Sequence, residues 1–222
     1  MGSTLVLELV PACTNVHKLL QRNGWRIGVT IAQNFEFMKT SWPPSGGEIK
    51  PEYVDIIRGT CEVMRSSGAP FLVNIYPYFA HAGDGEHVPL DYCLFTKTSP
   101  QFPDNGRDYY NIFDAMLDAL HTALERIGAG DVEIVVGECG WPTDGGADTT
   151  VENAHTFNQN LIKHCTSGKG TPLRPNADIR CYLFEMYDED QKTDSPVEPY
   201  WGWYSFNQGS SSWGQKYPLT WT

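Results

Sequence analysis

The stretch Ile134–Pro142, IVVGECGWP, decides the fold. Ile134, Val135 and Val136 make a short apolar run of the kind buried on both faces of a parallel sheet that has helices outside it. Gly140 and Pro142 then stop the strand and turn the chain outward. Glu138 is thereby left at the C-terminal end of the strand, the end at which α/β barrels keep their chemistry. Spacing alone allows two readings of such a glutamate, a catalytic carboxylate or a strand-end acid held in a salt bridge.

Working outward, four strand-like runs appear in order: Arg26–Ile31, Phe71–Tyr76, Glu133–Gly137 and Ile179–Phe184. Helical stripes separate them. Val54, Ile57, Cys61 and Met64 mark a helix over Glu52–Ser66. Phe113, Met116, Leu117, Leu120, Leu124 and Ile127 mark the strongest one, over Tyr110–Ile127. Val151, Ala154, Phe157, Leu161 and Ile162 mark a third over Thr150–Cys165, with Thr150 as its cap. Pro11–Arg22 reads as a helix ahead of all of these. The order α(βα)₃β predicts an α/β fold with a parallel sheet, and four such units make half of an eight-stranded barrel. No linker or repeat interrupts residues 1–222, so the chain reads as one domain. Ser41–Gly47 and Thr96–Arg107 read as Pro/Gly-rich loops that either line a cleft or only pin long connections.

Charge and motifs exclude several function classes. A formal net charge of −11 argues against nucleic acid and anionic membrane surfaces, whose phosphates need a basic partner. Neutral substrates stay open. No apolar run is long enough to span a bilayer, and MGSTLVLELVPAC lacks the basic n-region and the long apolar core of a secretory signal. The six cysteines (Cys13, Cys61, Cys93, Cys139, Cys165 and Cys181) have no metal-ligand spacing, and several fall in apolar patterns where a thiol is a small core residue. The histidines show no H-E-x-x-H, and there is neither a phosphate-cradling Gly loop nor a G-x-S-x-G elbow. No metal and no cofactor is expected. Aromatic residues make up 13% of the chain, enough for either sugar-stacking rings or a bulky core.

Seven segments carry a family resemblance: SWPPSGGEI (Ser41–Ile49), GAPFLVNIYPYF (Gly68–Phe79), YNIFDAMLDA (Tyr110–Ala119), VVGECGWPTDGG (Val135–Gly146), NAHTFNQNLIKH (Asn153–His164), GTPLRP (Gly170–Pro175) and YLFEMYDEDQK (Tyr182–Lys192). In this order they resemble the plant-type endo-1,3-β-glucanases, glycoside hydrolase family 17. The resemblance implies a (β/α)₈ TIM barrel that cleaves internal β-1,3 linkages with retention. It also implies that the four strands are the barrel's strands 5–8 with their helices, an incomplete glycoside hydrolase barrel domain over 1–222. The family's acid/base glutamate follows an Asn in a Gly-Asn-Glu motif, and no Asn-Glu dipeptide occurs in this sequence.

The same resemblance assigns roles. Glu138 matches the family nucleophile, with Cys139 where the family usually has Ser. Glu189, Lys192 and Glu198 resemble the charged groups that support the nucleophile and bind glucose hydroxyls. Asn74 and Tyr76, two apart on a strand, point to one side and into the cleft. Tyr78 lies with them at the strand end, core-filling tyrosines being the alternative reading; Trp141 and Phe184 are weaker cleft candidates, and Trp201, Trp203, Trp213 and Trp221 read as a closing segment that packs. The expected partner is β-1,3-glucan. The expected catalytic state is inactive, for want of the acid/base group; the alternative is a non-catalytic β-glucan-binding protein or a half-barrel that self-associates through open sheet edges. An extracellular or cell-wall location follows from the resemblance only.

Overall fold

The computed structural model describes residues 8–221, so the first seven residues, including the MGSTLV start, lie outside the described part. The chain divides into two compact units, residues 1–74 with 116–136, and residues 75–115 with 137–222. The central strand and one helix pass from one unit to the other.

In the first unit, helix α1 (Leu9–Arg22) leads into strand β1 (Ala32–Gln33). A small antiparallel pair follows, β2 (Met38–Thr40) with β3 (Glu48–Ile49). Helix α2 (Pro51–Ser67) starts on a proline at its first position, where the missing N–H costs nothing. It ends at Gly68 in the left-handed conformation (φ 73°), which only glycine adopts without strain. Ile57, Cys61, Val63 and Met64 are its buried face. Strand β4 (Phe71–Asn74) then pairs parallel with β1 through Ala32↔Leu72 and Gln33↔Val73. On its other side Phe71 N–H donates to Glu133 O at 2.7 Å, just ahead of β7 (Ile134–Cys139).

In the second unit, Ile75 N–H donates to Glu138 O at 2.9 Å and Phe184 N–H to Cys139 O at 2.8 Å, which places β8 (Cys181–Leu183) on the far side of β7. The sheet order is β1-β4-β7-β8, a parallel sheet accompanied by helices. Short helices α3 (Pro77–Gly83) and α4 (Leu90–Cys93) follow β4. A hairpin of β5 (Phe102–Asp104) and β6 (Arg107–Tyr109) precedes α5 (Ile112–Arg126). Helix α6 (Val151–Cys165) is capped by Thr150, whose Oγ1 accepts from Asn153 N–H at 3.1 Å. The chain ends on the hairpin β9 (Tyr204–Asn207) and β10 (Ser212–Gln215).

All four main helices lie within two residues of their expected bounds, and three strands lie within two residues. The first strand is the exception. Arg26–Ile31 is not regular strand, and Trp25 and Ile27 stand 58% and 56% exposed. Its backbone is tied instead by side chains: Val29 N–H donates to Ser67 Oγ at 3.0 Å, and Thr30 Oγ1 donates to Pro70 O at 2.6 Å. Regular pairing begins only at Ala32. The loop expected over Thr96–Arg107 contains the β5–β6 hairpin. Its turn, Asn105-Gly106, has positive φ at both positions (49° and 75°), the turn that matches the twist of paired strands.

Candidate active site

The site is built where β7 ends. Glu138 is half-buried, and Tyr76 Oη donates to its Oε2 at 2.7 Å. Two local features aim Tyr76. Pro77 opens α3, and the residue before a proline is driven to extended backbone, here φ −121° and ψ 94°. Aromatic neighbours then hold the ring, with centroids of Trp201 at 5.0 Å, Phe79 at 5.7 Å and Phe184 at 6.0 Å. Burial, and then the hydrogen bond to Glu138, push the Tyr76 phenol well above its ordinary value. Tyr76 therefore stays a proton donor to the carboxylate at any ordinary pH.

Phe184 links this pair to the charged group beyond β8. Lys192 Nζ sits 5.0 Å from the centre of the Phe184 ring, within cation–π range. Lys192 also pairs with Glu189, and its Nζ lies 3.7 Å from Glu198 Oε2. Burial works against its charge, yet the bond to Glu189 and the surrounding carboxylates raise its pKa overall. Glu138, Tyr76, Phe184, Lys192, Glu189 and Glu198 thus form one connected group. Asn74 is the last residue of β4, and its Oδ1 is buried without a hydrogen-bond partner.

Two cleft candidates belong to the core instead. Tyr78 is 4% exposed and packs on Trp141 and Trp201. Trp141 is fully buried, and its Nε1 donates to Asp148 O at 3.0 Å. Tyr78 alternates with Tyr76 only in sequence, because Pro77 begins a helix and ends the strand's two-residue period. Cys139, next to Glu138 in sequence, is fully buried; it and the other five cysteines are free thiols. Among the described residues no three His, Cys, Asp or Glu side chains are grouped as metal ligands.

Glu185 is the site residue that the sequence reading passed over. It follows Phe184 directly, and its Oε1 is buried with no hydrogen-bond partner. Burial, then the negative charge of Glu189, push its carboxyl up to about 8. A signal was present: Glu185, Asp188, Glu189 and Asp190 crowd one lysine, so they cannot all be neutralised. Asp188 is instead held apart by Lys216, at 2.7 Å, in a largely buried pair.

A carboxylate at a strand end, a tyrosine bonded to it and a lysine paired with neighbouring glutamates are the makings of nucleophilic work on a neutral substrate. Glycosyl hydrolases family 17 matches over residues 2–218, and the chain belongs to that family. A glucan endo-1,3-beta-glucosidase of Vitis vinifera is 40% identical over 204 residues, 91% of this chain and 58% of that protein. The Pisum sativum enzyme of the same name is 39% identical over 98% of this chain and 57% of its own length. The chain therefore spans a little under three fifths of these curated relatives. Among solved structures, CJP38, a beta-1,3-glucanase and allergen of Cryptomeria japonica pollen, superposes with a TM-score of 0.87 at 38% identity, over 95% of this chain and 64% of that one. A plant beta-glucan endohydrolase structure gives 0.89 at 34% identity, over 99% and 69%.

Proposed function

We propose that this chain is the nucleophile-bearing part of a retaining β-1,3-glucan endohydrolase, its four strands being strands 5–8 of one (β/α)₈ barrel domain. The observation that carries the reading is the 2.7 Å bond from Tyr76 Oη to Glu138 Oε2 at the end of β7. That bond fixes one carboxylate oxygen and leaves the other free to attack an anomeric carbon. Lys192, Glu189 and Glu198 bind glucose hydroxyls and hold the local charge.

Retention requires a second carboxyl about 5 Å from the nucleophile to protonate the leaving oxygen. The family's Asn-Glu pair is not in this sequence. This chain by itself therefore carries out little hydrolysis of an unactivated glucan, because general acid help is worth ~10²–10⁴-fold. Binding of β-1,3-glucan without turnover, or self-association through the open edges of the sheet, is the alternative; a monomer by sedimentation would remove the latter. An extracellular or cell-wall site of action goes with the reading and is checked by imaging a tagged full-length protein in its own tissue.

The two halves of the proposal separate in one experiment. An aryl β-glucoside whose leaving group departs without protonation, and which carries a fluorine beside the anomeric carbon, needs a nucleophile and no acid. Attack by Glu138 expels the aryl oxide and leaves a glycosyl ester, seen by mass spectrometry on the peptide containing Glu138. The ester is expected in this chain and absent from Glu138→Gln. An ester on any other residue, or unactivated glucan hydrolysis that survives Glu138→Gln, would overturn the assignment.

A further inference from the structure

The tryptophans near the C-terminus do not all pack. Trp201 is buried, whereas Trp213 stands 47% exposed. Trp213 lies directly opposite Phe206 in the β9–β10 register, so both rings project from one face, and their centroids are 5.4 Å apart. Tyr187 joins them: it bridges to Tyr204 in parallel, and its ring lies 4.6 Å from Trp213. Tyr187 and Phe206 remain 42% and 44% exposed. The other face of the hairpin presents only Ser205, Asn207, Ser212 and Gly214.

We propose that Tyr187, Phe206 and Trp213 form a stacking surface for a neutral polysaccharide chain, an accessory binding site distinct from the Glu138 group. Charge complementarity selects the ligand. The twelve residues Tyr204–Gln215 hold no charged side chain, in a protein with 16 basic and 27 acidic residues. Their polar groups are hydroxyls and amides, which bond sugar hydroxyls, while flat rings cover the apolar C–H faces of pyranose units. Area argues against a second copy of the chain. Three half-exposed rings offer roughly 300 Å², taking about 150–250 Å² per ring, against ~800 Å² per partner in a standard protein interface. Position adds continuity, because Tyr187 lies between Glu185 and Glu189 on the segment that supports the site. That the polysaccharide is a β-1,3-glucan rests on the function proposed above.

The test is a titration of the full chain with a soluble β-1,3-gluco-oligosaccharide, followed by calorimetry and by the indole N–H signal of Trp213. The signal is expected to shift on binding. Trp213→Ala and Phe206→Ala are each expected to weaken binding about tenfold, and Trp213→Phe, which keeps a ring in the hairpin, far less. Glu138→Gln is expected to leave the Trp213 shift in place. An unmoved Trp213 signal with unchanged affinity in both alanine variants would overturn the proposal. So would a Trp213 shift that tracks protein concentration in the absence of sugar, the signature of a second copy. If Glu138 takes no label while Trp213 still shifts, the hydrolase reading fails and the stacking surface stands.

Discussion

The two compact units are built from different interiors. The first is largely aliphatic: Ile57, Met64, Val73, Leu120, Leu124 and Val136 fill it, beside the ring contacts of Phe35, Phe37 and Phe71. The second is aromatic and polar, with Tyr78, Trp141, Phe157 and Trp201 packed beside buried His81, Asn111, Asp114 and Asn158. Strand β7 runs through both, and its character changes along the way from Ile134-Val135-Val136 to Gly137-Glu138-Cys139. Aliphatic packing positions a strand without giving it chemistry. Rings with polar tips hold a carboxylate at one angle, and they supply the hydrogen bonds that a buried polar group needs.

The sharpest way to break this contrast is to empty each interior. Trp141→Ala should cost ~3–5 kcal/mol and Leu120→Ala ~2–5 kcal/mol, measured by urea unfolding. Only the former should also disturb labelling of Glu138, because Trp141 packs on Tyr78 and Phe157 behind the site. Equal effects on labelling would erase the distinction.

Close backbone approaches offer the next comparison. A Cβ at Gly140 would collide with the carbonyl of Phe184, and one at Gly47 with the carbonyl of Ala119. Gly140→Ala and Gly47→Ala should each destabilise by at least ~1–3 kcal/mol, as overpacking does. Gly140→Ala alone should also slow labelling, since Gly140 stands two residues from Glu138.

Tyr76→Phe keeps the ring and removes the bond to Glu138. Its loss should slow labelling about 10- to 100-fold, the range set by a hydrogen bond to a charged group. The thermal transition should hardly move. A large fall in stability would instead assign Tyr76 to the packing of the unit.

Glu185 gives a pH signature to the second unit. Its carboxyl is raised from an ordinary 4.5 to about 8, so the folded chain holds a proton that the unfolded chain has already released. Its contribution to stability is therefore complete below about 4.5 and is lost as pH rises through 8. Glu185→Gln should flatten that decline in a series of melts from pH 5 to pH 9. An unchanged slope would assign the decline to other groups.

The smallest effect belongs to the first unit's surface. Arg65 grips Asp131 with two bonds of 2.7 and 2.6 Å, yet both side chains are substantially exposed. Arg65→Ala should cost ~0.2–1 kcal/mol, a loss that shrinks further in high salt.

Much of this arrangement was legible beforehand. The helices were readable because each carries a full amphipathic stripe, and Thr150 marks a start by a mechanism that acts within one turn. Glu138 was readable because a strand-end acid followed by Gly-Trp-Pro is a local pattern. Arg26–Ile31 failed because its apolar residues looked like a buried strand, while its backbone partners, Ser67 and Pro70, lie some 40 residues away in sequence. The β5–β6 hairpin failed for another reason: the Asn-Gly signal at Asn105-Gly106 was present, and the strands on either side were too short to show a period.

Local chemistry alone thus determined the α/β order, the four main helices, the place of Glu138 and the family. Those features depend on contacts within a turn or on strings of residues read in line. Only the tertiary structure decided that Tyr76 bonds Glu138 while Tyr78 fills the core, that Glu185 retains its proton, and that Trp213 stays in solvent while Trp201 is buried. Each of these depends on which groups the fold brings near and how much water it removes. Burial and charge act through space, where a neighbour in sequence need not be a neighbour at all.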